Sequence, residues 1–129
     1  MKRGITLLCV LTLCGCSAMT AGIAARSDEP NLRVDSTSVA RQVSIEQVRK
    51  RRLNDRLQGS ALLVSRITRD SYLQYKFTFF DREGLVVEGE SSSWRPVNLH
   101  GGEQRQVTAT ALRPEAVEFE IALRRVTDE

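Results

Sequence analysis

The sequence predicts an all-β domain, an antiparallel β-sandwich of about seven strands. Two observations carry this: apolar and polar residues alternate along several segments, and turn residues separate those segments. In "YLQYKFTFF" (72–80), Leu73, Tyr75, Phe77 and Phe79 share one face while Gln74, Lys76 and Thr78 share the other. In "EAVEFEIALRR" (115–125), Val117, Phe119, Ile121 and Leu123 alternate with Glu118, Glu120, Ala122 and Arg124. "EQRQVTATA" (103–111) repeats the pattern more weakly, with Val107, Ala109 and Ala111 inward. Such alternation marks strands with one buried face and one wet face, as in antiparallel sheets.

The turns follow from their residues. "DREG" (81–84) separates an apolar run ending at Phe80 from one beginning at Leu85, and Gly84 is free to take positive φ. "HGGE" (100–103) and "RPEA" (113–116) read as two more turns. The stretch "SIEQVRKRRLNDRLQG" (44–59) admits two readings. As a helix, Ser44 and Gln47 form a capping-box pattern and Gly59 ends it. As strand, turn, strand, Val43 and Ile45 alternate and Asn54-Asp55 make the turn. The cations Arg49, Lys50, Arg51 and Arg52 then lie on an edge strand, where charge discourages sheet-to-sheet association.

The chain has 129 residues, enough for one domain, with 41% hydrophobic and 27% charged residues. All its cysteines, Cys9, Cys14 and Cys16, lie at the start, so the body has no disulfide, thiol nucleophile or Cys-based metal site. Lys2-Arg3 followed by an apolar run from Ile5 to Leu13 has the proportions of a secretory signal and is too short to span a bilayer. Its end, Leu13-Cys14-Gly15-Cys16, resembles the lipobox of bacterial lipoproteins, with Cys16 as the acylated residue. Cys14 and Cys9 are each preceded by a leucine too bulky for that cleavage. More than one acyl chain gives stable anchoring, at ~0.8 kcal/mol per buried methylene. Ser17 stands where an aspartate would signal retention in the inner membrane, so analogy with enteric lipoproteins suggests the outer membrane, periplasmic side.

Residues 1–15 are thus expected to be the signal peptide, 16–31 a lipidated flexible tether ending at Pro30, and 32–127 the sandwich. Such a tether has a typical reach of about 20 Å. Removing Lys2 and Arg3 leaves 17 basic against 16 acidic residues. A charge so near neutrality argues against a nucleic-acid partner.

"LQYKFTFFDREGLVV" and "SSWRPVNLHGGEQRQVTATALRPEAVEFEIALR" resemble the YcfL family of small proteobacterial lipoproteins, a domain of unknown function. The most specific parts are the Tyr-x-Phe…Phe-Asp-x-x-Gly strand and turn, the Trp94-Arg95-Pro96 step, and Leu99-His100-Gly101-Gly102-Glu103. Phe79 stands where members usually carry another aromatic such as tryptophan. The resemblance implies an immunoglobulin-like sandwich, which favours strands over 44–58, and it implies no catalytic residue. Members are often encoded beside a lipoprotein that activates a peptidoglycan synthase, which implies a link to cell-wall work.

Among candidate site residues, His100 is the only histidine and beside two glycines reads as a solvent-facing turn residue. Ser91, Ser92 and Ser93 lack a nucleophile-elbow context, so no catalytic group is assigned. No ligand cluster implies a metal or cofactor. Trp94 suits a sandwich core first and a binding surface second. With Arg95 it could stack on a sugar or anchor a protein. The basic residues around Arg51 suit a solvated edge, or contact with anionic headgroups at about 1 kcal/mol per charge. Glu118 and Glu120 can pair with them across strands. The expected function is a non-enzymatic envelope module that binds a protein partner. The alternative is direct binding of glycan or anionic lipid headgroups through Trp94, Arg95 and the basic edge.

Overall fold

A computed structural model describes residues 21–87 and 93–126. Its elements are β1 (Ile23–Arg26), β2 (Arg33–Val34), α1 (Thr37–Gln42), β3 (Val43–Leu53), β4 (Arg56–Ser65), β5 (Ser71–Phe80), β6 (Arg95–Leu99), β7 (Gln104–Thr110) and β8 (Glu118–Arg125). Two antiparallel sheets, ordered β2-β1-β8-β5-β6 and β3-β4-β7, stack with β1 against β3 and β4 against β8. This is the antiparallel β-sandwich the alternation predicts.

The inward stripes form the core. Leu73, Phe77 and Phe79 of β5 and Phe119, Ile121 and Leu123 of β8 are buried, with Tyr75 packed at their margin. They face Leu57, Ala61 and Leu63 of β4 and Val107 of β7. Gly59 sits in the middle of β4 because Phe119 lies directly on it. A Cβ there would approach the ring to 2.7 Å. Phe119 also packs on Phe77 and Phe79, with centroids 5.5 Å and 6.4 Å away.

The ambiguous stretch is strand, turn, strand. Asn54 and Asp55 adopt φ of 50° and 63°, as a two-residue turn with both central residues left-handed requires, and Asn and Asp tolerate that region. β3 and β4 pair through it from Leu53↔Arg56 to Val43↔Ser65, with a bulge between Glu46 and Arg49. The inserted residue shifts the alternation by one position. Val43 and Ile45 face inward before the bulge; beyond it Lys50 and Arg52 stand opposite the inward Gly59 and Leu57. The basic run therefore divides. Lys50 bonds the carboxylate of Glu118 and the Val117 carbonyl, and Arg52 donates to the carbonyls of Pro114 and Ala116, so both hold the start of β8. Arg49 and Arg51 face solvent, opposite Ser60 and Gln58. The other expected partner, Glu120, pairs with Arg33.

Several expectations are corrected. Residues 16–31 do not form one flexible tether: β1 occupies Ile23–Arg26, pairs with β8 and β2, and buries Ile23, Ala24 and Ala25. Its small residues read as a linker but fit closely against Leu123 and Ala122. There is also a helix, α1, with Ser36 capping the N–H of Val39; six residues are too few for a visible period. The 81–84 turn forms, with Gly84 at φ 83°. Among the described residues, the apolar run after it pairs through the Phe80↔Val86 bridge, with Val87 N–H donating to the Phe79 carbonyl, and Leu85 is 64% exposed.

Trp94 is not in the core. Arg95 pairs with Tyr75, which faces inward, so parity turns the preceding Trp94 to the outside of the larger sheet, beside Lys76. The Arg124 guanidinium carbon lies 3.8 Å from its ring centroid and the Lys76 ammonium 5.7 Å. Cation–π contact of this kind contributes roughly 0.5–2 kcal/mol. Trp94→Ala is therefore expected to cost about 1–2 kcal/mol, against about 2–5 kcal/mol for Leu73→Ala in the core. Urea unfolding of both variants checks this; an equal cost would return Trp94 to a core role.

Candidate functional site

The residues singled out in the sequence do not converge. Cys16 lies outside the described residues, as do Ser91 and Ser92. Trp94 lies on the outer face of the larger sheet, under Arg124, which also donates to Gln74. Arg51 lies on the outer face of the smaller sheet, its Nε donating to Gln58 Oε1 at 2.6 Å. His100 lies at the far end of β6, as the exposed turn residue expected, its Nδ1 3.2 Å from an oxygen of Asp70. The same turn is held by Glu103, whose carboxylate accepts the His100 backbone N–H and the Arg105 guanidinium. Those bonds, the backbone one first, keep the Glu103 carboxyl below the usual carboxylate range. Asp28 is likewise lowered, mainly by its hydrogen bond from Arg26. Both are surface turn contacts; Asp28 also lines an open groove of about 560 Å³ between β1 and the bulge of β3.

Arg95 is different. It lies on the wall of a groove of about 320 Å³ between the sheets. One side is aromatic: Tyr75, Phe77 and Phe79 of β5. The other is β7 from Thr108 to Thr110, continuing to Leu112, which is 70% exposed. Tyr75 and Phe77 meet edge to face with centroids 6.1 Å apart, so the wall is a fixed surface. The groove exists because the smaller sheet ends at β7 while the larger one continues past β5. A second, more open groove of about 550 Å³ lies on the outer face of the smaller sheet. It is lined by Arg49, Lys50, Arg51, Gln58, Ser60 and, from β7, Gln106 and Thr108. Thr108 belongs to both, so an aromatic groove and a basic face border the same strand.

Sequence reasoning assigned Tyr75, Phe77 and Phe79 to the core and overlooked this second use. A signal was present: opposite three large rings, "VTATA" (107–111) offers mainly alanine and threonine, which bury Phe77 and Phe79 but leave Tyr75 partly exposed. Among the described residues, no group of three or more His, Cys, Asp or Glu side chains is placed to hold a metal ion. No described helix is long and apolar enough to cross a membrane. The arrangement can hold a molecule by shape, aromatic contact and positive charge.

Comparison with known proteins agrees with the architecture. Residues 30–125 match the family described as protein of unknown function, DUF1425. A crystallised DUF1425 family member from Shewanella sp. pv-4 is 30% identical, with a TM-score of 0.63 over 85% of this chain and 94% of that one. The crystal structure of Campylobacter jejuni cj0090 shares the fold, at 20% identity and a TM-score of 0.56 over 64% of this chain and 85% of that one. No curated protein matches the chain. With a match over most of its length and a similar member structure, the chain belongs to the DUF1425 family.

Proposed function

We propose that the chain is a lipid-anchored binding module of the bacterial envelope, tethered at Cys16 to the outer membrane and facing the periplasm. The observation that carries the binding role is the aromatic groove open beside a strand edge, with Arg95 on its wall. Such a surface holds an apolar or aromatic segment of another protein without transforming it. Within DUF1425, the features quoted above favour the YcfL-type lipoproteins, and with them a link to peptidoglycan synthesis or its regulation. The lipobox supports the anchor. Since β1 begins at Ile23, seven Cα steps separate Cys16 from the sandwich, a span of at most about 25 Å. The domain would then work close to the membrane surface.

A second reading is favoured by the basic groove around Arg49 and Arg51: direct binding of anionic headgroups or glycan phosphates. Trp94 no longer supports that reading, because Arg124 covers one face of its ring.

Two measurements test the proposal. Cys16→Ala is expected to abolish labelling by radioactive palmitate; persistent labelling would contradict the anchor. Photocrosslinking residues placed singly at Leu112, Arg51 and His100 of the full chain in cells are expected to capture one dominant envelope protein, from Leu112. Equal capture of abundant neighbours from all three would contradict a protein partner. Salt-sensitive co-sedimentation with anionic vesicles or sacculi, lost in Arg49→Ala/Arg51→Ala, would favour the second reading.

A further inference from the structure

We propose that the partner adds an extended strand to the free edge of β7, a strand whose apolar residues alternate with acidic ones. The inference rests on the reading of the chain as a binding module and specifies how that module binds. It begins from the four edges of the two described sheets. β2 is only two residues long. β6 carries Pro96, which has no N–H to offer, next to Arg95. β3 is broken by its bulge and carries Arg49, Lys50, Arg51 and Arg52. Shortness, proline, bulges and charge all discourage pairing with a foreign strand. β7 has none of these devices along Gln106 to Thr110, and the one charge on it, Arg105, is engaged by Glu103.

The phase of the β4–β7 ladder shows which backbone groups are free. Ala111 N–H donates to the Leu57 carbonyl and Ser65 N–H to the Glu103 carbonyl, each at 2.8 Å, at the two ends of the pairing. In an antiparallel pair the bonded positions recur every second residue. With the register Ala61↔Val107 and Gly59↔Ala109, Arg105, Val107 and Ala109 turn their amides toward β4. Gln106, Thr108 and Thr110 turn theirs away from it, and β4 is the only neighbour of β7 among the described strands. The edge is a row of donors and acceptors ready for strand addition.

The same register sets the chemistry of the added strand. Residues opposite Gln106, Thr108 and Thr110 would lie on the outer face, beside the groove of Arg49 and Arg51. The residues between them would point between the sheets, against Tyr75, Phe77 and Leu112. Apolar side chains fit the inner positions and carboxylates the outer ones. A second copy of this chain fits poorly, because β7 itself offers no carboxylate for the outer positions and sets Arg105 among the inner ones.

The test uses the full chain in detergent and two fluorescent, end-blocked octapeptides, one alternating valine with glutamate and one valine with lysine. The acidic peptide should bind saturably, raising its anisotropy, and slow exchange of the Gln106 and Thr108 amides at least tenfold. Thr108→Pro removes an edge donor without touching the β4 ladder. It should weaken binding at least tenfold with an unchanged melting temperature, whereas Thr108→Ala, which keeps the amide donor and loses only side-chain contact, should weaken it several-fold less. Amide protection in the unaltered chain carries the test should the proline variant fail to fold. Equal binding of the lysine peptide, undiminished binding to Thr108→Pro, or protection of those amides by self-association would each overturn the inference. Slowed exchange of those amides by acidic vesicles but not by the acidic peptide would overturn it in favour of a lipid ligand. If capture from Leu112 in cells survives Thr108→Pro, the edge inference fails and the binding-module reading stands. If no position captures a partner in the unaltered chain, that reading itself fails.

Discussion

The close approach of Phe119 to Gly59 governs the arrangement of the two sheets. Phe119 stands opposite Phe79 in the larger sheet and sends its ring into the position a side chain at residue 59 would fill. A glycine within a strand has an entropic cost and offers nothing to pack. The contact reverses that balance, since fully burying a phenylalanine contributes about 1.5–3 kcal/mol. The neighbouring inward positions of the smaller sheet, Ala61 and Ala109, are also small, so rings on one sheet meet short side chains on the other. Large against small is how two pleated faces interdigitate. Where the smaller sheet stops at β7, the aromatic face of β5 continues, and the groove is that continuation. Core and candidate site are one surface, covered in one place and open in the next.

The bulge in β3 does for charge what Gly59 does for packing. Without the extra residue, Arg49 and Arg51 would face the core and Lys50 and Arg52 the solvent. With it, Lys50 and Arg52 reach across the open end of the sandwich to carbonyls of the 113–117 turn and to Glu118. Ion pairs at such exposed sites contribute about 0.2–1 kcal/mol each. Several bonds from one short segment still fix where β8 begins. Arg49 and Arg51 remain on the wet face, beside the strand whose edge is free.

What the sequence disclosed follows from which forces are local. Alternation along β5 and β8 is visible because each has one apolar face and one polar face. Asn54 and Asp55 show a turn because few other residues sit easily at positive φ. β1 was invisible because Ile23, Ala24 and Ala25 are all buried. They leave no alternation, and alanines beside glycine resemble a linker. The outward turn of Trp94 depends on the register between β5 and β6, and the division of the basic run depends on one inserted residue; neither is encoded in spacing. The groove was hidden for a related reason. Tyr75, Phe77 and Phe79 look alike in sequence, and only the width of the opposite sheet decides where cover ends.

The most direct measurement is a double-mutant cycle on the central contact, using Gly59→Ala, Phe119→Ala and the pair, read by urea unfolding. With the ring present, the added methyl should overpack the site and cost about 1–3 kcal/mol. With the ring absent, the same methyl enters vacated space on a better strand former and should be neutral or stabilising. A coupling above about 1 kcal/mol is the result this account predicts. Additive losses, within about 0.5 kcal/mol, would show that the two residues do not constrain each other and that the sheet spacing is set elsewhere.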